Sequence, residues 1–281
     1  MPEPTPDRYA VIGFPVDHSQ SPRIHRLFAE QTAQNISYTR LAAKPAGFKN
    51  AVRRFADEGG KGLNVTVPHK EAAFELANEI GPEAERAGAV NTLSFTDDGR
   101  IRGDNTDGIG FCHDIERNHG VALRGNRMLV LGAGGAARGV LAALLGARPY
   151  ELVLANRTVQ RARDLLDALD APTNFSACSL PALSDQAPFE VVVNATSLGL
   201  RTEALPFPPG CLSGETFAYD LVYSRKGNTP FVDWAILHGA GRAVQGWGML
   251  VEQAAESFTI WRGVRPDTAT VLKRVRAQAD G

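Results

Sequence analysis

The sequence predicts an α/β protein, and three observations carry that expectation. Short apolar runs of strand length recur along the chain, each bounded by turn residues and followed by segments of helical periodicity. The length of 281 residues suits one large domain or two ordinary ones. One strand, Arg127-Met128-Leu129-Val130-Leu131, passes through Gly132-Ala133-Gly134-Gly135-Ala136-Ala137 into the helical run Val140–Leu145. In that turn Gly132 lets the chain bend sharply, and Gly134 lets backbone approach a ligand. Ala137 takes the third small position, where helix and strand pack closely. Such a turn aims backbone N–H groups and a helix N-terminus at a pyrophosphate. A glycine-rich turn alone is also an ordinary tight turn. Here the strand before it and the helix after it supply the context that dinucleotide binding requires.

Composition bounds the function. A hydrophobic fraction of 43% and a charged fraction of 22% fit a soluble protein with a full core. The net charge of -1 argues against a bulk nucleic-acid or anionic-membrane binder. Cys112, Cys178 and Cys211 are widely spaced, without metal-ligand spacing, and are expected to be reduced cytoplasmic thiols. No metal site is expected. The polar, Pro-rich start Met1–Arg8 has no apolar signal core, and no run is long enough to span a bilayer.

Tyr9–Gly13 is the first expected strand. It runs into His18-Ser19-Gln20-Ser21-Pro22, where Ser21 is a good N-cap and Pro22 suits the first helical position. Ile24, Leu27 and Phe28 give the following helix its apolar face. Ser19 is a second hydroxyl at a strand's C-terminal end, where ligands of α/β sheets gather. Both hydroxyls are also explained by bonding local backbone. Ser37–Leu41 is the second strand, and Phe48–Ala56 is a helix closed by Gly59-Gly60.

In Gly62-Leu63-Asn64-Val65-Thr66-Val67-Pro68-His69-Lys70 the apolar residues alternate, so Asn64 and Thr66 share one face. Lys70 sits near the start of the next helix, where the dipole repels a cation. A lysine held there, partly buried, suits proton transfer near neutral pH; a solvated surface lysine is the plain alternative. Ala89–Phe95 and Arg100–Gly103 flank an Asp-Gly turn and form a hairpin. Asp104, Asn105 and Asp107 follow, with Asp107 at a helix start that runs through Phe111 and Ile115, where N-capping is its ordinary role.

After the glycine turn, strand Glu151–Ala155 ends in Asn156-Arg157-Thr158, with Arg161 one turn on. An acid here would bind the ribose 2′-OH of NAD. The chain offers two arginines instead, which match the 2′-phosphate of NADP. Glu190–Val193 is a strand leading to Asn194-Ala195-Thr196-Ser197-Leu198-Gly199, and Phe217–Tyr223 is another. Thr229-Pro230 starts a helix that stops at Gly239, and Arg242–Gln245 is the last strand. Gly246-Trp247-Gly248 opens a long helix, Met249–Trp261, with Gln253 inside it; Pro266 starts the final helix.

Together these stretches resemble the shikimate dehydrogenase family over essentially the whole chain. The resemblance rests on His18–Pro22, Asn64–Lys70, Gly88–Thr92, Gly103–Gly108, the glycine turn, Asn156–Thr158, Asn194–Gly199 and Gly246–Leu250 with Gln253-Ala254-Ala255. It implies an N-terminal α/β substrate domain, residues 1–109, and a Rossmann NADP-binding domain, residues 110–245. C-terminal helices in 246–281 would then return to the first domain. It also implies Lys70 and Asp107 as the catalytic pair, and Ser19, Ser21, Asn64, Thr66, Asn91, Asp107, Tyr223 and Gln253 as substrate ligands. Gly132, Ala133, Gly134, Gly135, Ala136, Asn156, Arg157, Thr158, Arg161, Leu221 and Gly246 would contact the cofactor. His69 departs from the family, where many members carry Phe.

The implied activity is reversible reduction of 3-dehydroshikimate to shikimate with NADPH, in aromatic amino acid biosynthesis. The chemistry is coherent: hydroxyl and amide side chains suit a small ring with a carboxylate and three hydroxyls. The paired hydroxyls of Ser19 and Ser21 would suit the carboxylate. The expected protein is a cytoplasmic monomer or homodimer that binds a small molecule, not nucleic acid or membrane. A quinate/shikimate dehydrogenase and a non-catalytic NADPH-binding sensor are the alternatives. The sensor would be expected to lack Lys70 and Asp107.

Overall fold

The computed structural model describes residues 5–196 and 205–277. Two compact units divide at Gly110/Phe111; the segment Val251–Val275 groups with the first.

The first unit is built on a mixed six-stranded sheet in the order β2-β1-β3-β5-β6-β4. Its strands are β1 (Asp7–Gly13), β2 (Ile36–Ala42), β3 (Gly60–Val65), β4 (Glu79–Ile80), β5 (Thr92–Phe95) and β6 (Ile101–Asp104). The helices are α1 (Ser21–Thr32), α2 (Phe48–Asp57), α3 (Lys70–Leu76), α4 (Pro82–Ala87) and α5 (Asp107–His113). Tyr9–Ile12 and Leu63–Val65 are buried on both faces, as central strands require. Phe48, Val52 and Phe55 of α2 pack with Ala10, Ile12, Leu63 and Leu93 in one apolar cluster. β3 runs parallel to β1 and antiparallel to β5, and β5 is antiparallel to β6. The ends of β3 and β6 and the start of β5 therefore share one edge of the sheet. Asn64 sits opposite Thr92, and Thr92 opposite Asp104.

The second unit is a fully parallel six-stranded sheet in the order β12-β11-β10-β7-β8-β9. It comprises β7 (Arg127–Leu131), α6 (Gly135–Ala147), β8 (Glu151–Ala155), α7 (Val159–Ala168), β9 (Phe175–Cys178), β10 (Val191–Asn194), β11 (Phe217–Asp220), α8 (Pro230–Leu237) and β12 (Arg242–Gln245). The strand order reverses between β7 and β10, the topological switch point where nucleotides bind in open α/β sheets. Apolar clusters cover both faces. One contains Val130, Val140, Leu141, Leu154 and Val193; the other contains Leu129, Leu131, Val192 and Phe231.

Two helices follow, α9 (Trp247–Arg262) and α10 (Thr268–Ala277). Trp261 of α9 stacks on Tyr9, with ring centroids 4.6 Å apart, and its indole N–H donates to the Leu93 carbonyl at 3.1 Å. Arg262 pairs with Asp7 at 2.5 Å. The C-terminal segment thus packs on β1 and β5.

Several sequence expectations need correction. The residue before α1 is Gln20, and Ser21 does not cap it. No side chain caps the helix; the Ser21 N–H, at its first residue, goes to the Ser19 hydroxyl at 3.3 Å. Val67 does not continue the alternation, because β3 ends at Val65 and Val67 is 69% exposed. Asp107 does not cap α5; the Asn105 side chain accepts its N–H at 3.0 Å. Pro266 does not start α10, whose cap is Asp267, accepting the Ala269 N–H at 3.0 Å. β11 stops at Asp220, and α9 begins at Trp247. β4, α4 and β9 have no counterpart in the sequence expectation; each is short, and β9 and β4 lie at sheet edges.

Candidate active site

At the shared edge of the first sheet, Lys70 is the first residue of α3 and Asp107 the first of α5. Lys70 Nζ donates to Asp107 Oδ2 at 2.5 Å. The pair is mostly enclosed, with side chains 24% and 13% exposed. Because Asn105 caps the helix, the Asp107 carboxylate is free for this contact. Its other oxygen accepts from Asn91 Nδ2 at 2.9 Å.

Asn91 is 2% exposed and its amide orientation is fixed by its partners. Oδ1 accepts the Thr106 N–H at 2.9 Å and the Thr92 hydroxyl at 2.9 Å. Nδ2 is left to face Asp107, and Gln253 Oε1 lies 3.4 Å from it. Asn64 continues the chain of bonds. Its Nδ2 donates to Ser257 Oγ at 2.9 Å and Thr92 Oγ1 at 3.2 Å, while its Oδ1 accepts the Tyr38 hydroxyl at 2.7 Å. The Tyr38 ring stacks on buried His25 at 4.2 Å. Burial pushes the His25 imidazole down to about 3, so it is a neutral aromatic brace.

Lys70, Asp107, Asn91, Gln253 and Asn64 are thus joined by direct bonds. Ser19 and Ser21 bond to each other at 3.2 Å. Thr66 is half-buried, and its hydroxyl has no hydrogen bond among the described residues. Tyr223 belongs to the second unit, where its ring lies 4.3 Å from that of Trp247 and burial raises its phenol. Four network members escaped sequence reasoning: Tyr38, Thr92, Thr106 and Ser257. Ser257 had one signal, lying one helical turn beyond Gln253. His69 is buried, stacks on Phe48 at 4.6 Å and bonds the Ala43 carbonyl at 2.7 Å. It fills the place of an aromatic ring.

The cofactor candidates gather at the C-terminal ends of the second sheet's strands. Gly132 has φ +100°, and a Cβ there would lie 2.8 Å from the Thr196 methyl. A Cβ on Gly134 or Gly135 would meet nothing within 4 Å, so the turn is open on that side. Ala133 is half-buried, and Gly134, Gly135 and Ala136 are exposed. Asn156 Nδ2 donates to the Thr158 carbonyl at 2.8 Å, tightening the loop after β8. Arg157 and Arg161 are exposed and face no carboxylate within 4 Å among the described residues. Gly246 lies against the backbone of Leu221, where a Cβ would sit 2.6 Å from the carbonyl. An open glycine turn with two unmatched guanidinium groups fits a dinucleotide carrying an extra phosphate. Ser197, Leu198 and Gly199 lie outside the described residues.

A buried acid supports this edge. Asp220 accepts from Asn194 Nδ2 at 3.0 Å, the Val222 N–H at 3.1 Å and the Thr229 hydroxyl at 2.5 Å. Asn194 Oδ1 in turn accepts the Thr196 N–H at 3.1 Å. Burial pushes the Asp220 carboxyl up to about 6, against the opposing effect of these donors. A raised folded-state value means the fold binds this proton more tightly than the unfolded chain. Its contribution to stability is therefore full below about 4 and is lost as pH rises to about 6, on the order of 3 kcal/mol. Urea denaturation across that window is expected to show wild type losing stability relative to Asp220→Asn; parallel curves would contradict the assignment.

Family models match three stretches of the chain: a shikimate dehydrogenase substrate binding domain at residues 11–93, shikimate / quinate 5-dehydrogenase at 115–200, and a shikimate 5'-dehydrogenase C-terminal domain at 246–276. The chain is 55% identical over 272 residues to the shikimate dehydrogenase (NADP(+)) of Alkalilimnicola ehrlichii, covering 97% of this chain and 99% of the relative. Among solved structures, it matches an Ael1 enzyme from Pseudomonas putida at 47% identity and TM-score 0.88, covering 95% and 97% of the two chains. It matches shikimate 5-dehydrogenase from Thermus thermophilus, in complex with NADP(H) and shikimate, at 34% identity and TM-score 0.84, covering 97% and 99%.

Proposed function

The chain belongs to the shikimate dehydrogenase family, and from that premise we propose that Lys70 and Asp107 carry its proton transfer. The reaction is the reversible NADP-dependent reduction of 3-dehydroshikimate to shikimate, an oxidoreductase step at a CH–OH group in aromatic amino acid biosynthesis. The observation that carries the assignment is the Lys70–Asp107 contact of 2.5 Å at the enclosed edge of the first sheet.

Reducing a ring ketone consumes a hydride and a proton. NADPH supplies the hydride when bound, which no side chain can do. Gly132, Ala133, Gly134, Gly135 and Ala136 would hold its pyrophosphate. Asn156, Arg157, Thr158 and Arg161 would hold its 2′-phosphate, and Leu221 and Gly246 would line the rest. Lys70, as an ammonium, has the proton to give to the ketone oxygen. Asp107 fixes the ammonium in place and also accepts from the reacting hydroxyl in the reverse direction. Asn91 holds Asp107, so the proton donor is positioned before substrate arrives. Asn64, Thr66 and Gln253 offer the polar groups that ring hydroxyls need. Ser19 and Ser21 would take the carboxylate, and Tyr223 is a further substrate-ligand candidate. We expect a cytoplasmic monomer or homodimer; a reducing compartment accords with Cys112, Cys178 and Cys211 forming no disulfide. Among the described residues no helix is long and apolar enough to cross a membrane.

Lys70→Ala is expected to lower turnover of shikimate with NADP by at least about 100-fold, read from nicotinamide absorbance, while NADPH still binds by fluorescence titration. Near-normal turnover would remove Lys70 from the proton path. Arg157→Ala with Arg161→Ala is expected to raise the KM for NADP by roughly tenfold or more and leave that for NAD unchanged. An equal change for both cofactors would place the 2′-phosphate elsewhere.

A further inference from the structure

The carboxylate subsite proposed at Ser19 and Ser21 is made of neutral groups. Several backbone donors there are already used. The Ser21 N–H goes to Ser19 Oγ at 3.3 Å, Pro22 has none, and those of Arg23 and Ile24 bond the Gln20 carbonyl at 3.0 and 3.1 Å. Two hydroxyls alone compensate a carboxylate poorly when it leaves water. The charge of Lys70 is matched by Asp107.

Arg40 of β2 is the exception. Its Nε and Nη2 both donate to the Ser19 carbonyl, at 3.1 and 2.6 Å. That acceptor is neutral, and among the described residues no carboxylate lies within 4 Å of the Arg40 guanidinium. Arg40 lines a cavity of about 520 Å³ together with Arg23, Arg26, Ser37 and Tyr38, and no acid lines it. Arg23 reaches the Arg274 carbonyl, and Arg26 lies 3.9 Å from Glu30. Arg40 combines a charge that faces no carboxylate among the described residues with direct contact to the Ser19 loop.

We propose that Arg40 is a positioning and specificity residue for the substrate carboxylate. This rests on the assignment of that carboxylate to Ser19 and Ser21. The planar guanidinium pins the Ser19 carbonyl by two donors, which fixes the direction of the Ser19 and Ser21 hydroxyls. Its uncompensated charge lies beside them and favours an anionic substrate over a neutral one. Because Arg40 is exposed, salt screens that charge.

The test compares shikimate with its neutral methyl ester as substrates of the full-length enzyme at saturating NADP, across ionic strength. Arg40→Met is expected to raise the KM for shikimate about fivefold, with kcat and the KM for NADP unchanged and a clearly smaller rise in the KM for the ester, which loses only the positioning of the hydroxyls. In wild type kcat/KM for shikimate falls with added salt; in Arg40→Met this dependence is lost, and in Arg40→Lys it persists. An equal rise for acid and ester, or an unchanged salt dependence, overturns the proposal and leaves Arg40 as a loop brace only. Ser19→Ala separates the underlying assignment. If it leaves the KM for shikimate unchanged, the carboxylate assignment fails; if it raises that KM while Arg40→Met does not, only the role of Arg40 fails.

Discussion

The orientation of one buried amide sets the Lys70–Asp107 corner of this enzyme. Asn91 is committed on every side. Its N–H donates to the Asp104 carbonyl at 3.1 Å, and its own carbonyl accepts the Val65 N–H at 2.8 Å. With Oδ1 saturated by Thr106 and Thr92, a flipped amide would face donors with donors. Nδ2 must therefore point at Asp107, which leaves the second carboxylate oxygen for Lys70. Fully satisfied polar networks of this kind are rigid, because any partial break strands a buried polar group. The network runs on through Thr92, Ser257 and Asn64 to Tyr38, tying α9 and β2 to the Lys70–Asp107 pair.

The second unit repeats the logic with different chemistry. The glycine turn is open outward, but Thr196 closes it from beneath, and Thr196 is held by Asn194. Asn194 in turn depends on Asp220, a buried acid with three donors. The candidate cofactor edge is therefore shaped from below by side chains that need not touch a nucleotide.

Much of this was legible in the sequence. The glycine turn with its flanking strand and helix, the arginines after β8, and Lys70 and Asp107 at helix starts all follow from local pattern. The support around them did not. Thr92 matters because the register sets it opposite Asn64, and Ser257 because α9 packs on β5; neither fact is local. Ser21 has the residue type of a cap, yet it is the first residue of α1, and its own N–H goes to Ser19. Val67 continued the apolar alternation on paper, but the chain leaves the sheet at Val65. β9 has no apolar run and exists through its pairing with β8.

The dependence of Lys70 on Asn91 through Asp107 is tested most directly by a double-mutant cycle on kcat with Asn91→Ala, Asp107→Ala and the pair together. If Asn91 acts by holding Asp107, the double variant is no slower than Asp107→Ala alone, a strongly non-additive result. Losses that multiply would mean Asn91 and Asp107 serve the reaction independently, and the buried amide would not be the constraint on which the site depends.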